Sequence, residues 1–251
     1  MEKSYYKNYF VLEKEHWFFR VRKKILIFFV EKYAKFGSKI FDFGCGSGYL
    51  VGELQKMGYD ASGSDVSTEA IKFGLSKGIR NLSVVQGGEI NPPEGGFDLI
   101  LALDVVEHTE DDLRTIRGLK RALKPGGIAI ITVPAYQWMW GVQDEVSHHF
   151  RRYTMSGLTD AVKRAGNFTV VRKTYFNTFL FGPIAIVRIL SKWFNVKDRE
   201  SDFEINNRIL SALFCFIFNL ETYLLKFINF PFGVSILVVL EKSKFDHEQK
   251  I

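Results

Sequence analysis

The sequence predicts an α/β domain with a mostly parallel sheet of about seven strands, helices on both faces, and an apolar helical insertion before the last strand. Three observations carry this. Short β-branched and aromatic runs alternate with helical stretches along the first two thirds of the chain. Two runs, Phe97–Leu103 and residues 128–133, are almost wholly apolar, as strands buried on both faces must be. A glycine-rich segment, Gly44-Cys45-Gly46-Ser47-Gly48, stands where a strand gives way to a helix.

Residues 13–35 read as a helix free of Pro and Gly, and Lys39–Phe43 as the first strand. A helix over 48–57 ends at Gly58. Residues 60–64 form the second strand, closing on Asp65, and Ser67 caps the next helix. Residues 82–86 are the third strand and Phe97–Leu103 the fourth. A helix over 111–123 is stopped by Lys124-Pro125-Gly126-Gly127, and residues 128–133 follow as the fifth strand. Residues 156–165 read as helix, 168–175 and 234–240 as the last strands. Asn91-Pro92-Pro93-Glu94 reads as a turn.

A chain of 251 residues with 47% hydrophobic content holds one α/β core and a small addition. The division expected is 1–36 as an N-terminal helical lid, 37–175 as the core, 176–233 as the apolar insertion, and 234–251 as last strand and tail. A formal charge of +6 is modest and reads as a solvated basic surface, so no nucleic-acid partner is expected. Two cysteines, Cys45 and Cys215, make no disulfide framework and fit a reducing cytoplasm. Residues 25–30 are apolar behind a basic stretch, but no cleavage site of a secretory leader follows. The apolar stretches 179–190 and 209–218 fall short of a span of roughly 20 residues.

The glycine loop lets the backbone turn sharply and approach a ligand, and the helix beyond offers free N–H groups. The pattern is acidic-x-Gly-x-Gly-x-Gly from Asp42 to Gly48, and Tyr49 stands where a dinucleotide fingerprint needs its third glycine. Asp65, at the end of the next strand, is placed to take the ribose hydroxyls of a nucleoside.

With these residues the sequence resembles the class I S-adenosylmethionine-dependent methyltransferases, over about residues 40–154. Asp42 to Gly48 looks like the first motif, and Gly63-Ser64-Asp65-Val66-Ser67 the second. Leu103-Asp104-Val105-Val106-Glu107-His108 looks like the fourth-strand motif, and Leu123-Lys124-Pro125-Gly126-Gly127 the turn before the fifth strand. The resemblance implies a Rossmann-like methyltransferase sheet, S-adenosyl-L-methionine as cofactor, and Asp42, Gly44, Cys45, Gly46, Gly48, Asp65, Val66 and Leu103 around it. Such families often carry Gly-Asp after the third strand, near the adenine. Here the row is Gln86-Gly87-Gly88-Glu89, and Glu89 is the expected substitute.

The run Ser147-His148-His149-Phe150-Arg151-Arg152-Tyr153-Thr154 lies past the fifth strand, where open α/β sheets bind ligands. Its His-x-Arg-Arg-Tyr resembles a bacterial subset associated with glycan, lipid or quinone pathways, as does Glu15-His16-Trp17-Phe18-Phe19-Arg20, a candidate lid. If the acceptor is a hydroxyl, His149 is the expected base, with His148 second; a loop histidine that only orders Arg151 and Arg152 is the equal alternative. Arg152 is expected to hold an anionic substrate group, with Trp17, Arg20, His148 and Tyr153 beside the substrate. His108 reads as a structural residue. No metal is expected, because Asp144 and Glu145 beside the histidines form no ligand set of fixed spacing.

The leading reading is methyl transfer to a small or lipid-linked acceptor, at oxygen. The alternatives are a non-catalytic methyltransferase-like binding subunit and a nucleic-acid or protein methyltransferase. Segment 176–233 has three readings: a roof over a lipophilic site, a peripheral contact with the inner face of the membrane, or a homodimer interface.

Overall fold

The computed structural model describes residues 10, 12–85, 96–193 and 208–244. Seven strands form one sheet: β1 (Lys39–Phe43), β2 (Asp60–Asp65), β3 (Leu82–Val84), β4 (Phe97–Leu103), β5 (Leu123–Pro134), β6 (Phe168–Phe176) and β7 (Ser235–Lys242). Their order is β3-β2-β1-β4-β5-β7-β6. The first five run parallel, and β7 lies antiparallel between β5 and β6. From β1 the chain builds outward to β3, then returns to add β4 on the other side. That reversal opens a crevice at the carboxyl ends of β1 and β4, the usual ligand position in such sheets.

The helices are α1 (Trp17–Tyr33), α2 (Tyr49–Lys56), α3 (Thr68–Ser76), α4 (Asp112–Ala122), α5 (Val142–Val146), α6 (Met155–Ala165), α7 (Phe181–Trp193) and α8 (Arg208–Leu224). α1 packs on α8, and α4 on α6. Local chemistry sets their starts. Ser67 Oγ accepts from the Ala70 N–H, Asp111 from Arg114, and Thr154 from Gly157, each filling an orphan donor of a first turn. The centre of the sheet is closed by Leu99, Ile100 and Leu101 of β4, Ile130 and Ile131 of β5, and Val238 and Val239 of β7, all inaccessible to solvent.

The structure corrects some boundaries. Helical residues 12–15 are separated from α1 by a bend at His16, whose Nδ1 accepts from the Phe18 N–H and starts a new helix. β5 begins at Leu123, not after the Pro-Gly-Gly turn, because Leu123 already pairs with Phe97 and the turn is absorbed as an irregularity in the register. Gly126 accommodates it at φ +75°.

α7 and α8 lie between the hairpin strands β6 and β7. Buried Glu221 fixes α8 to the chain leaving β6 by accepting the N–H groups of Thr178 (2.7 Å) and Phe179 (3.0 Å). Among the described residues, no helix is long and apolar enough to cross a membrane.

Candidate active site

β1 ends in a loop whose three glycines hold left-handed φ values: Gly44 (+73°), Gly46 (+55°) and Gly48 (+74°). At Gly44 a Cβ would strike Val105, so glycine is required there by both space and angle. At Gly46 a Cβ would meet nothing within 4 Å. Gly44 and Cys45 donate to Ser64 O, binding the loop to β2. The loop opens on a cavity of about 850 Å³ that runs along the carboxyl ends of β1, β2 and β4.

One end of this cavity is acidic. Asp65 accepts the N–H groups of Gly46 and Ser67, both at 2.8 Å, one on each carboxylate oxygen. Each oxygen keeps a further lone pair for a ligand hydroxyl. Asp42 lies behind the loop, 4% exposed. Burial pushes its carboxyl up to about 8, helped by the charges of Glu13 and Asp65 and opposed by Arg22. Glu13, which accepts from Ser47 Oγ at 3.1 Å, is pushed up to about 7, again mainly by burial. Burial raises Asp65 as well, against the hydrogen bonds from Ser67 and Gly46. Three carboxylates around one space are costly unless a cation shares it.

α1 forms a wall with Phe18 and Phe19. Arg22 fastens it, pairing with Asp104 at 2.8 Å and donating to Thr132 Oγ1 at 3.1 Å. Asp104 itself sits at φ +56° at the end of β4, a conformation held by hydrogen bonds from its N–H and to its carboxylate from Thr132.

The other end carries histidines. His149 Nδ1 is 2.8 Å from Asp144 Oδ1, and its ring stands edge-on to His108 with centroids 4.5 Å apart. Asp144 is fully buried and also accepts from Gly141 N, Arg152 Nε (2.7 Å) and Arg188 Nη1 (3.3 Å) of α7. Burial alone would raise it, but His149 and Arg152 hold it well below the usual carboxylate range. Glu107 is 0% exposed, and burial, then Asp104, push its carboxyl well above the ordinary value.

Of the residues singled out from the sequence, Asp42, Gly44, Cys45, Gly46, Asp65, Val66, Leu103, His149 and Arg152 border this cavity. Gly48 caps α2 behind it. Glu89 lies outside the described residues, as does the Asn91-Pro92-Pro93-Glu94 turn. Arg152 is not free for a substrate anion: its guanidinium is engaged by Asp144 and the Ala135 carbonyl, and it is 9% exposed. Tyr153 is buried and donates to Asp112, away from the cavity wall. His148 and Arg20 point outward, and Trp17 packs on Phe214 and Phe218 of α8. Glu13, Arg22, Asp104, Glu107 and His108 also line the cavity. Asp104, Glu107 and His108 stood in the fourth-strand motif. Arg22 could have been found as a charge on the apolar stripe of its helix.

The strand order, glycine loop and acid at the end of β2 define a Rossmann-like nucleoside-binding domain. The chain belongs to the methyltransferase-domain family, which matches residues 15–173. It is 32% identical to a ubiquinone biosynthesis O-methyltransferase of Aliivibrio fischeri (strain MJ11) over 100 residues, 37% of this chain and 42% of that one. It is 25% identical to the protein of that name from Cereibacter sphaeroides (strain ATCC 17025 / ATH 2.4.3) over 173 residues, 59% of this chain and 66% of that one. The chain thus spans less than two thirds of these relatives' lengths. An S-adenosylmethionine-dependent methyltransferase from Mesorhizobium loti shares the fold, with TM-score 0.55, 17% identity, and coverage of 82% of this chain and 91% of that one. Fold and family together mark the chain as carrying an S-adenosylmethionine-dependent methyltransferase domain.

Proposed function

We propose that the protein methylates an oxygen of a small, lipid-linked acceptor. The observation that carries this reading is that the glycine loop with its three carboxylates and the His149 end face one continuous cavity. When bound, S-adenosylmethionine supplies an electrophilic methyl group on a cationic sulfur. The residues fit it. Asp65 offers lone pairs to ribose hydroxyls, Gly46 leaves room where a side chain would intrude, and the carboxylates suit a ligand that carries an ammonium and a sulfonium. The acceptor oxygen then belongs at the Glu107–His108–His149 end, between the walls of α1 and the turn after β4. The relatives' printed name, an O-methyltransferase of ubiquinone biosynthesis, supports oxygen as the target and a quinone-type acceptor.

The lipid-linked part rests on α7 and α8. Leu210, Leu213, Phe216, Leu220, Tyr223 and Phe227 are exposed at helical spacing along one side of α8 and just past its end. Ile186, Ile189 and Trp193 of α7 are exposed too. The exposed lysines Lys24 and Lys226 flank α8, the first bonding Asn219. An apolar row with lysines beside it fits the surface of an anionic bilayer. Among the described residues these helices contribute none to the cavity wall, which favours a foothold on lipid over a roof.

The test incubates purified protein and isotopically labelled S-adenosylmethionine with separate lipid and aqueous extracts. Label is expected in a lipid-soluble product released as a phenol or alcohol ether. Label confined to nucleic acid, protein or polar metabolites would overturn the reading.

A further inference from the structure

The chain ahead of α1 is strapped across the glycine-loop end of the cavity. Phe10 stands edge-on to Tyr49 of α2 and to Phe73 of α3, with ring centroids 5.6 and 5.1 Å apart. At the other end Trp17 is held against Phe214 and Phe218 of α8. Helical residues 12–15 span the interval, and the Leu12 carbonyl accepts the N–H of His16 at the bend. Glu13 lies between the two anchors, half-buried, and lines the cavity with Asp42, Gly44 and Asp65.

The buried Ser47 hydroxyl donates to Glu13 Oε2 at 3.1 Å. A carboxylate has about four lone-pair sites, and one hydroxyl fills one of them. An acid in this place is costly. Asp65 repels it, and its own charge helps to push the carboxyl of Asp42 up. Arg22 is the opposing charge, and it is shared with Asp104 at 2.8 Å. Lys23, the next residue of α1, is turned to Tyr49 and Glu53. A neutral glutamine would hold Ser47 equally well and without the repulsion. Pinning the strap therefore does not account for a negative charge at this position, whereas a cationic occupant does.

We propose that Glu13 is a cofactor-binding residue whose carboxylate takes the α-ammonium of S-adenosylmethionine. The ammonium brings N–H donors, which the sulfonium lacks, so it is the group able to fill the lone pairs of Glu13. The assignment deepens the S-adenosylmethionine reading of the cavity and rests on it. Asp65 then recognises the nucleoside, and Glu13 recognises the amino-acid end from a segment outside the sheet. The division sets a selectivity. A nucleoside without the ammonium leaves the charge of Glu13 unopposed and binds the weaker for it.

The test compares two probes by calorimetry on the full chain: S-adenosylhomocysteine, which carries the ammonium without the sulfonium, and methylthioadenosine, which has neither. The wild type is expected to bind the first more tightly. Glu13→Gln keeps an acceptor for Ser47 and removes the charge. It should weaken S-adenosylhomocysteine by about 10- to 100-fold, the scale of a charge-assisted hydrogen bond, and leave methylthioadenosine unchanged. Glu13→Ala should give the same split and decides if the first variant does not fold. Unchanged S-adenosylhomocysteine affinity in the variants, or an equal loss for both probes, would overturn the proposal, the latter marking a role in folding alone. Equal affinity of the wild type for the two probes would overturn it as well. A wild type that binds neither probe would count against the cofactor reading itself.

Discussion

A carboxylate buried among other carboxylates keeps its proton far into the neutral range, and Asp42 thereby ties the stability of the fold to pH. Asp42 titrates near 8 and Glu13 near 7 in the folded protein, against 3.8 and 4.5 ordinarily. Between those values the folded state holds protons that the unfolded chain has released. The stability these groups contribute is therefore present in full below about pH 4 and is lost as pH rises to about 8. Chemical denaturation across that range is expected to show the fall, and Asp42→Asn to flatten it. A cationic ligand reverses the balance, so S-adenosylmethionine binding should release protons near pH 7, visible in calorimetry as heats that depend on the buffer. Asp65→Ala should weaken S-adenosylhomocysteine by about 1.5–3 kcal/mol, the scale of charge-assisted hydrogen bonds. Unchanged affinity would remove Asp65 from the ribose role. The acids of the loop were legible because glycines and carboxylates recur at short, ordered spacing. Arg152 was not, because a guanidinium serving a buried Asp144 reads, in sequence, the same as one awaiting a substrate.

At the scale of elements, apolar runs were the reliable signal. β4 and β7 are buried along nearly their whole length, so their sequences are almost wholly apolar. Boundaries were less legible where pairing between distant residues decides them. Leu123 joins β5 because Phe97 lies beside it, which no local pattern states. The bend at His16 depends on a side chain capping its own helix. α8 shows the limit of periodicity most clearly, since apolar residues cover both sides of it. Phe218 is 0% exposed, stacked on Phe18 with centroids 5.8 Å apart, whereas Phe216 is 69% exposed. Phe218→Ser is thus expected to cost roughly 3–5 kcal/mol of stability, as large core truncations do. Phe216→Ser should cost little. Thermal melts of the two variants check this, and equal losses would contradict the packing.

For the whole molecule, the exposed apolar residues of α8 and α7 carry the proposed membrane contact. The wild type is expected to sediment with anionic vesicles. Leu213→Ser, Phe216→Ser and Leu220→Ser together should release it without altering S-adenosylhomocysteine affinity. Retained sedimentation would exclude this surface. The acidic cavity end and the flanking lysines lie on one chain of formal charge +6, so raised salt should weaken the vesicle contact before it affects the cofactor.

Arg188 gives that contact a consequence for rate. It reaches from α7 to the Met139 carbonyl and to Asp144, whose other oxygen orients His149. Whatever shifts α7 therefore shifts the imidazole at the reacting end. If α7 settles on a bilayer as proposed, interfacial activation is the expected result, because docking and positioning of His149 would then be coupled. Turnover of a short-chain, water-soluble acceptor should rise when vesicles are added, and Arg188→Met should abolish the rise while leaving vesicle binding intact.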